Sequence, residues 1–125
     1  MPQNLDKDGL RSKINSYELF FIDIWGVIHN GLQIFEDSIE VLENLKKNNK
    51  EFVLLTNAPR PNSTVIDFLK KMGLKKFYED VYTSGEASLK YLMKNFLNSK
   101  FYHIGPPRDF DLFKRFEKNK VSNIN

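Results

Sequence analysis

The chain has 125 residues, with 19 basic and 16 acidic side chains and a formal net charge of +3 at pH 7. This length suffices for one domain with its own hydrophobic core. The basic residues are dispersed, so we expect no nucleic-acid partner. No apolar run approaches the roughly 20 residues of a membrane-spanning helix, so we expect no membrane partner. The chain contains no cysteine, which excludes disulfides and thiolate metal ligands and suits a cytoplasmic protein.

The first predicted elements surround an apolar run near the N-terminus. Residues 1–16 are polar, and we expect a short helix or arm there. Residues 17–24, YELFFIDI, have the apolar and β-branched character of a strand that is buried on both faces of a parallel sheet. Residues 25–35 mix apolar residues with Gly and Asn, so we expect a structured loop. Apolar residues then recur on one side of residues 36–48, which predicts an amphipathic helix.

Strands and helices continue to alternate along the rest of the chain. The further predicted elements are strands at 52–56, 81–83 and 101–104, and helices at 62–72, 84–95 and 109–118. Residues 119–125 are interpreted as a tail or as the start of another strand. This alternation predicts right-handed βαβ units and a parallel sheet. The expected fold class is therefore α/β, a three-layer core with βα repeats over 17–118 in a single domain, 1–125.

One charged residue, Asp23, lies inside the apolar run of the first predicted strand. An ionised carboxylate is costly in a protein core unless it is paired, binds a metal or lies where the strand opens into a cleft. In open parallel sheets, ligands bind at the carboxyl edge of the strands. Gly26 and Gly31 follow, and glycine lets the backbone turn sharply and approach a ligand closely. Two interpretations stay open: a structural aspartate that caps the next loop, or a nucleophile or metal ligand.

Four motifs, in order, resemble those of the haloacid-dehalogenase-like (HAD) hydrolases, and more narrowly their class IIA, NagD-like branch. They are DIWGVIHNG at 23–31, LLTNAPR at 54–60, TSGEA at 83–87 and HIGP at 103–106. The resemblance covers residues 17–117. It implies a Rossmann-like (HAD-type) core in which the strand of Asp23 is central, truncated before the cap domain of the family.

The resemblance also implies a phosphatase site. Asp23 matches the family nucleophile, which forms an aspartyl-phosphate and binds Mg²⁺, and the backbone carbonyl of Trp25 matches the second metal ligand. The expected substrate is a small phosphorylated metabolite. The candidate phosphate- or substrate-binding residues are Thr56, Asn57, Ala58, His29 and Arg60. Simpler interpretations stay open for three of them: a threonine that caps a loop, a loop histidine with local hydrogen bonds, and a solvated arginine.

The chain departs from the family pattern in two places. Trp25 stands where the phosphatases carry an Asp that acts as general acid and base, and losing such a group costs about 10² to 10⁴ in rate. Aromatic residues also occur there in members that cleave carbon–halogen bonds, so a dehalogenase-like reaction is one alternative. The family's later lysine and Gly-Asp…Asp motifs are absent, so we expect weak or no activity from the chain alone. A non-catalytic binding or assembly module that self-associates through an exposed sheet edge is another alternative.

Overall fold

The computed structural model describes residue 5 and residues 7–122, which fall into two compact units, 1–54 and 55–125. Three parallel strands form one sheet in the order in which they occur along the chain. The strands are β1 (Leu19–Asp23), β2 (Glu51–Thr56) and β3 (Val81–Thr83). The helices are α1 (Glu36–Lys47), α2 (Asn62–Lys71), α3 (Ser84–Asn95) and the short α4 (Phe110–Phe113). The predicted α/β class with a Rossmann-like parallel sheet is confirmed.

In the first unit, the loop after β1 and the inner face of α1 supply most of the core. The buried apolar side chains are Ile24, Ile28, Leu42, Leu45, Phe52 and Leu54. The predicted burial of β1 on both faces is wrong. Phe20 and Ile22 are half-buried, whereas Leu19 is exposed and Phe21 is 68% exposed. One face of β1 therefore presents apolar side chains to solvent.

The position of β1 in the sheet also differs from the expectation of a central strand. Strand β1 lies at one end of the order β1-β2-β3. The predicted strand over 101–104 is wrong, since Phe101 makes a single parallel bridge with Lys120. The Phe101 N–H donates to the carbonyl of Asn119 at 3.0 Å, and its carbonyl accepts from Val121 at 2.8 Å. Within the described residues, no strand pairs with the outer edge of β1.

In the second unit, α3 packs on the C-terminal segment. Leu89 of α3 forms a buried cluster with Leu112 and Phe116. The single helix predicted over 109–118 is wrong. The segment forms a 3₁₀ turn (Pro107–Asp109), then α4, then a 3₁₀ stretch (Lys114–Asn119) with a kink at Phe116, where φ is −112° and ψ is 16°. The kink accompanies the burial of the Phe116 ring.

The described residues near the N-terminus contain little regular secondary structure. The N-terminal segment, where a short helix or arm is expected, forms two 3₁₀ turns, Leu10–Ser12 and Ile14–Ser16. The rest of the predicted arm, residues 1–4 and 6, lies outside the described residues, as do residues 123–125 of the predicted tail. None of the helices in the described part of the chain has the length and apolar character needed to cross a membrane.

Candidate active site

Asp23 is the last residue of β1, and its side chain is exposed. The backbone N–H of Ile24 donates to Asp23 Oδ1 at 2.8 Å, which fixes the orientation of the carboxylate. The other oxygen, Oδ2, accepts no hydrogen bond from the part of the chain that the structure describes. The carboxylate is therefore held by its own backbone and presents one oxygen to a ligand.

The loop after β1 is a compact flap, defined here as residues 24–35. The Gly26 N–H donates to the carbonyl of His29 at 2.8 Å, and Phe35 donates to the carbonyl of Ile28 at 2.9 Å. Gly26 and Gly31 have positive φ angles of 76° and 91°, in the region that glycine favours. The flap thus has a defined backbone, which is the structured loop predicted from the sequence.

Trp25 lies on the outside of the flap, with its side chain 63% exposed. Its ring meets that of His29 edge-on, with centroids 5.1 Å apart and planes at 85°. The benzo edge of the indole also covers Gly31, because a Cβ added to Gly31 would lie 2.7 Å from Cη2 of Trp25. Two neighbours in the flap therefore fix the ring, and the rest of the indole faces solvent.

His29 is the buried counterpart of Trp25 and is only 3% exposed. Its Nδ1 atom accepts a hydrogen bond from the Gly31 N–H at 2.8 Å, so Nδ1 carries no proton in this arrangement. Burial lowers the pKa of His29 below its ordinary value of 6.5. His29 therefore supports the flap from inside, and a substrate could reach its ring only if the flap opened.

The second group of candidates lies in the second unit, where β2 ends. Thr56 is the last residue of β2 and is half-buried. Its Oγ1 accepts from the Ala58 N–H at 3.2 Å, which leaves the hydroxyl hydrogen available as a donor. The Ser84 hydroxyl contacts the carbonyls of Asn57 and Ala58, at 2.9 and 3.0 Å. The start of α3 therefore holds this loop, defined here as residues 57–60, from its carbonyl side.

The tight join between α3 and this loop depends on Gly85. A Cβ at Gly85 would clash with the backbone of Arg60, and the Gly85 N–H donates to the carbonyl of Ala58 at 3.2 Å. The Thr83 hydroxyl donates to the Arg60 carbonyl and also accepts from the Glu86 N–H at 2.9 Å. The sequence showed TSGE as part of a family motif, with Thr83 and Glu86 at the spacing of a capping box. Its role in fixing the loop becomes visible in the structure.

Arg60 has partners that cannot be recognised from the sequence. Its guanidinium donates to Asp111 Oδ2 at 2.9 Å and lies 3.7 Å from Asp109 Oδ1. The Thr64 hydroxyl donates to the same Asp111 oxygen at 3.0 Å. Arg60 and Asp111 are 29% and 24% exposed, so this ion pair is mostly shielded from water. The guanidinium binds carboxylates of the C-terminal segment, which competes with its predicted contact to a substrate anion.

The donor set around Asp23 fits a magnesium ion. No group of three or more His, Cys, Asp or Glu side chains within residues 5 and 7–122 could hold a metal. Magnesium, however, binds hard oxygen ligands and usually keeps several waters with one or two carboxylates plus substrate phosphate. The exposed carboxylate of Asp23 and the backbone carbonyl of Trp25, two residues further along the chain, are oxygen donors of this kind. A small protein ligand set is therefore compatible with Mg²⁺.

Comparison with known proteins identifies the class. The model of the haloacid dehalogenase-like hydrolase family matches residues 20–117. The chain belongs to this family, and its likeness to the NagD-like class IIA branch is confirmed. No curated protein matches it.

Several solved structures share the fold. A haloacid dehalogenase-like hydrolase from Brucella suis 1330 is 29% identical, with a TM-score of 0.68 over 90% of this chain and 41% of that one. A 4-nitrophenylphosphatase from Thermotoga maritima is 30% identical, with a TM-score of 0.68 over 88% of this chain and 42% of that one. A protein described as a putative NagD protein is 30% identical, with a TM-score of 0.65 over 79% of this chain and 40% of that one. The chain spans about two-fifths of the length of these three structures.

Proposed function

We propose that the chain carries the nucleophile of a Mg²⁺-dependent phosphatase that acts on a small phosphorylated metabolite. The observation that carries this proposal is the arrangement of Asp23 at the exposed end of β1. One carboxylate oxygen is held by the Ile24 N–H, and the other takes no hydrogen bond from the described residues. The likeness to a 4-nitrophenylphosphatase supports phosphate esters as the substrate class.

The proposed reaction begins with attack of an Asp23 oxygen on phosphorus. A P–O bond to Asp23 forms, the bond to the leaving oxygen breaks, and water later hydrolyses the aspartyl-phosphate. The Thr56 hydroxyl is proposed to donate to a phosphoryl oxygen, since its contact with the Ala58 N–H uses a lone pair and not the hydroxyl hydrogen. Backbone N–H groups at Asn57 and Ala58 are proposed to help position the phosphoryl group.

The Asp23 carboxylate and the Trp25 carbonyl are proposed to hold Mg²⁺. When bound, the ion would neutralise charge on the phosphoryl oxygens. Because the chain spans about two-fifths of the length of its structural neighbours, we propose that the activity of the chain alone is weak. The absence of cysteine suits a reducing compartment, and we propose the cytoplasm as the location.

The test measures hydrolysis of 4-nitrophenyl phosphate with and without Mg²⁺. We expect slow, Mg²⁺-dependent turnover that falls at least about 10³-fold in Asp23→Asn, because the amide is not a nucleophile. Asp37→Asn is the matched control, since Asp37 is an exposed aspartate in the first turn of α1. Mass spectrometry of the acid-quenched protein should find one added phosphoryl group on the unchanged chain and on Asp37→Asn, and none on Asp23→Asn. Turnover that survives in Asp23→Asn would contradict the assignment of the nucleophile.

A second candidate function is a non-catalytic assembly module. Two observations favour it: no strand of the described residues pairs with the outer edge of β1, and one face of β1 exposes Leu19 and Phe21. Self-association without turnover would support this module, and turnover by a monomer would support the enzyme. A dehalogenase-like reaction is the other alternative, because Trp25 is aromatic, and release of halide from a 2-haloacid without Mg²⁺ would identify it.

A further inference from the structure

We infer that Trp25 restricts the chain to phosphate esters whose leaving group departs without receiving a proton from the flap. Aryl phosphates with acidic phenols belong to this class, and phosphates of simple alcohols do not. The inference rests on the proposed function, because it assumes attack by Asp23. It concerns the leaving-group side of the reaction in this chain.

The flap offers no side chain that can protonate the leaving oxygen. His29 is the only titratable side chain in residues 24–35. It is 3% exposed, and its Nδ1 accepts from the Gly31 N–H at 2.8 Å. Its ring also meets Trp25 edge-on, which encloses it further. His29 therefore cannot reach a leaving oxygen outside the flap in this conformation.

Trp25 is the first exposed side chain that follows the nucleophile along the chain. The Cα atoms of residues 23 and 25 can be at most about 7.6 Å apart, because each trans peptide spans about 3.8 Å. Trp25 is 63% exposed, and its ring is fixed by His29 and Gly31. Its only donor is the indole N–H, which can form a hydrogen bond but does not release a proton near neutral pH.

The bonds that form and break show how the leaving group affects the rate. An Asp23 oxygen donates an electron pair to phosphorus, and the pair of the breaking P–O bond leaves with the ester oxygen. Without a proton from the flap, the product is an aryloxide or alkoxide, which takes its proton from water afterwards. A nitrophenoxide is stable at neutral pH, whereas an alkoxide is a very poor leaving group. The rate should therefore fall steeply as the pKa of the leaving alcohol rises.

The experiment compares 4-nitrophenyl phosphate, phenyl phosphate and glycerol phosphate, with Mg²⁺ and the full chain. The informative pair of variants is Trp25→Asp and Trp25→Asn, which lose the same indole contacts and differ in one ionisable group. On glycerol phosphate, we expect Trp25→Asp to hydrolyse the ester at least about 10²-fold faster than Trp25→Asn, which is the usual contribution of a general acid. On 4-nitrophenyl phosphate, the two rates should differ much less. Circular dichroism melts should show that both variants fold alike.

The outcomes separate this inference from the proposed function. Similar rates for 4-nitrophenyl and glycerol phosphates in the unchanged chain would overturn the inference and leave the phosphatase intact. Equal rates of Trp25→Asp and Trp25→Asn on glycerol phosphate would also overturn it. If no substrate is hydrolysed and no phosphorylated protein forms, the proposed function fails and the inference fails with it. A steep leaving-group dependence that flattens only in Trp25→Asp would support the inference.

Discussion

His29 shows how a single buried side chain can make the stability of the flap depend on pH. Its ring is 3% exposed, and its Nδ1 accepts the Gly31 N–H. Desolvation by this burial lowers the pKa of His29 below 6.5 in the folded protein. Below about pH 6.5 the unfolded chain therefore binds a proton more readily than the folded one, so the contribution of His29 to stability is lost as pH falls.

We expect the urea concentration at the unfolding midpoint to decrease when the pH is lowered from about 7.5 to about 5.5. The decrease should be smaller in His29→Asn. The slope due to one residue cannot exceed about 1.4 kcal/mol per pH unit. Asparagine retains an oxygen that can accept from the Gly31 N–H but has no proton to gain. His103→Asn is the matched control, because it removes the other histidine of the chain, outside the flap. An unchanged pH dependence in His29→Asn would contradict this role.

The elements that the sequence predicted well are those specified by local pattern. Helix α1 was predicted over 36–48 and spans Glu36–Lys47, and β3 was predicted over 81–83 and spans Val81–Thr83. Thr83 also caps the start of α3, and its spacing from Glu86 is the capping-box pattern that a sequence shows directly. Periodicity, caps and turn residues lie within a few positions of each other in these segments, so tertiary contacts are not needed to recognise them.

The elements that the sequence predicted poorly depend on distant contacts. Phe101 pairs with Lys120 instead of joining the sheet, and the burial of Phe116 accompanies a break in the last predicted helix. At the candidate site, the strand-end positions of Asp23 and Thr56 were predictable from apolar runs. The partners of Arg60 were not, because Asp111 lies 51 residues away in sequence.

The contact between Arg60 and Asp111 joins the loop after β2 to the C-terminal segment, and a double-mutant cycle can measure it. We expect a coupling energy of about 1–2 kcal/mol between Arg60→Ala and Asp111→Ala, because the charged hydrogen bond is mostly shielded from water. Each single variant should cost more than this, since it leaves the other charge partly buried without its partner. Urea denaturation of the four proteins gives the values.

Arg108→Ala is the control for this cycle. Its guanidinium lies 4.0 Å from Asp109 and its side chain is 80% exposed, so removing it should change stability by less than about 0.5 kcal/mol. A coupling energy near zero would mean that Arg60 is held by the surrounding backbone and that its charge is available to a substrate anion.

At the scale of the whole molecule, the most unusual feature is the outer edge of β1, with which no strand of the described residues pairs. Edge strands with exposed apolar side chains are templates for pairing with another chain. The edge of β1 carries neither a proline nor an inward-pointing lysine, which are common protections. The chain spans about two-fifths of its structural neighbours, so a full-length relative has further residues that could cover such an edge.

We predict that the chain self-associates through β1 and that Phe21→Lys weakens this association at least about tenfold. Phe21 is 68% exposed on the strand, and a lysine there opposes edge-to-edge pairing through charge and hydration. Sedimentation velocity over about a hundredfold range of protein concentration measures the effect. Leu32→Lys is the matched control, because Leu32 is 88% exposed but lies in the flap. A monomer at every concentration, or equal weakening by both lysines, would show that β1 is not the interface.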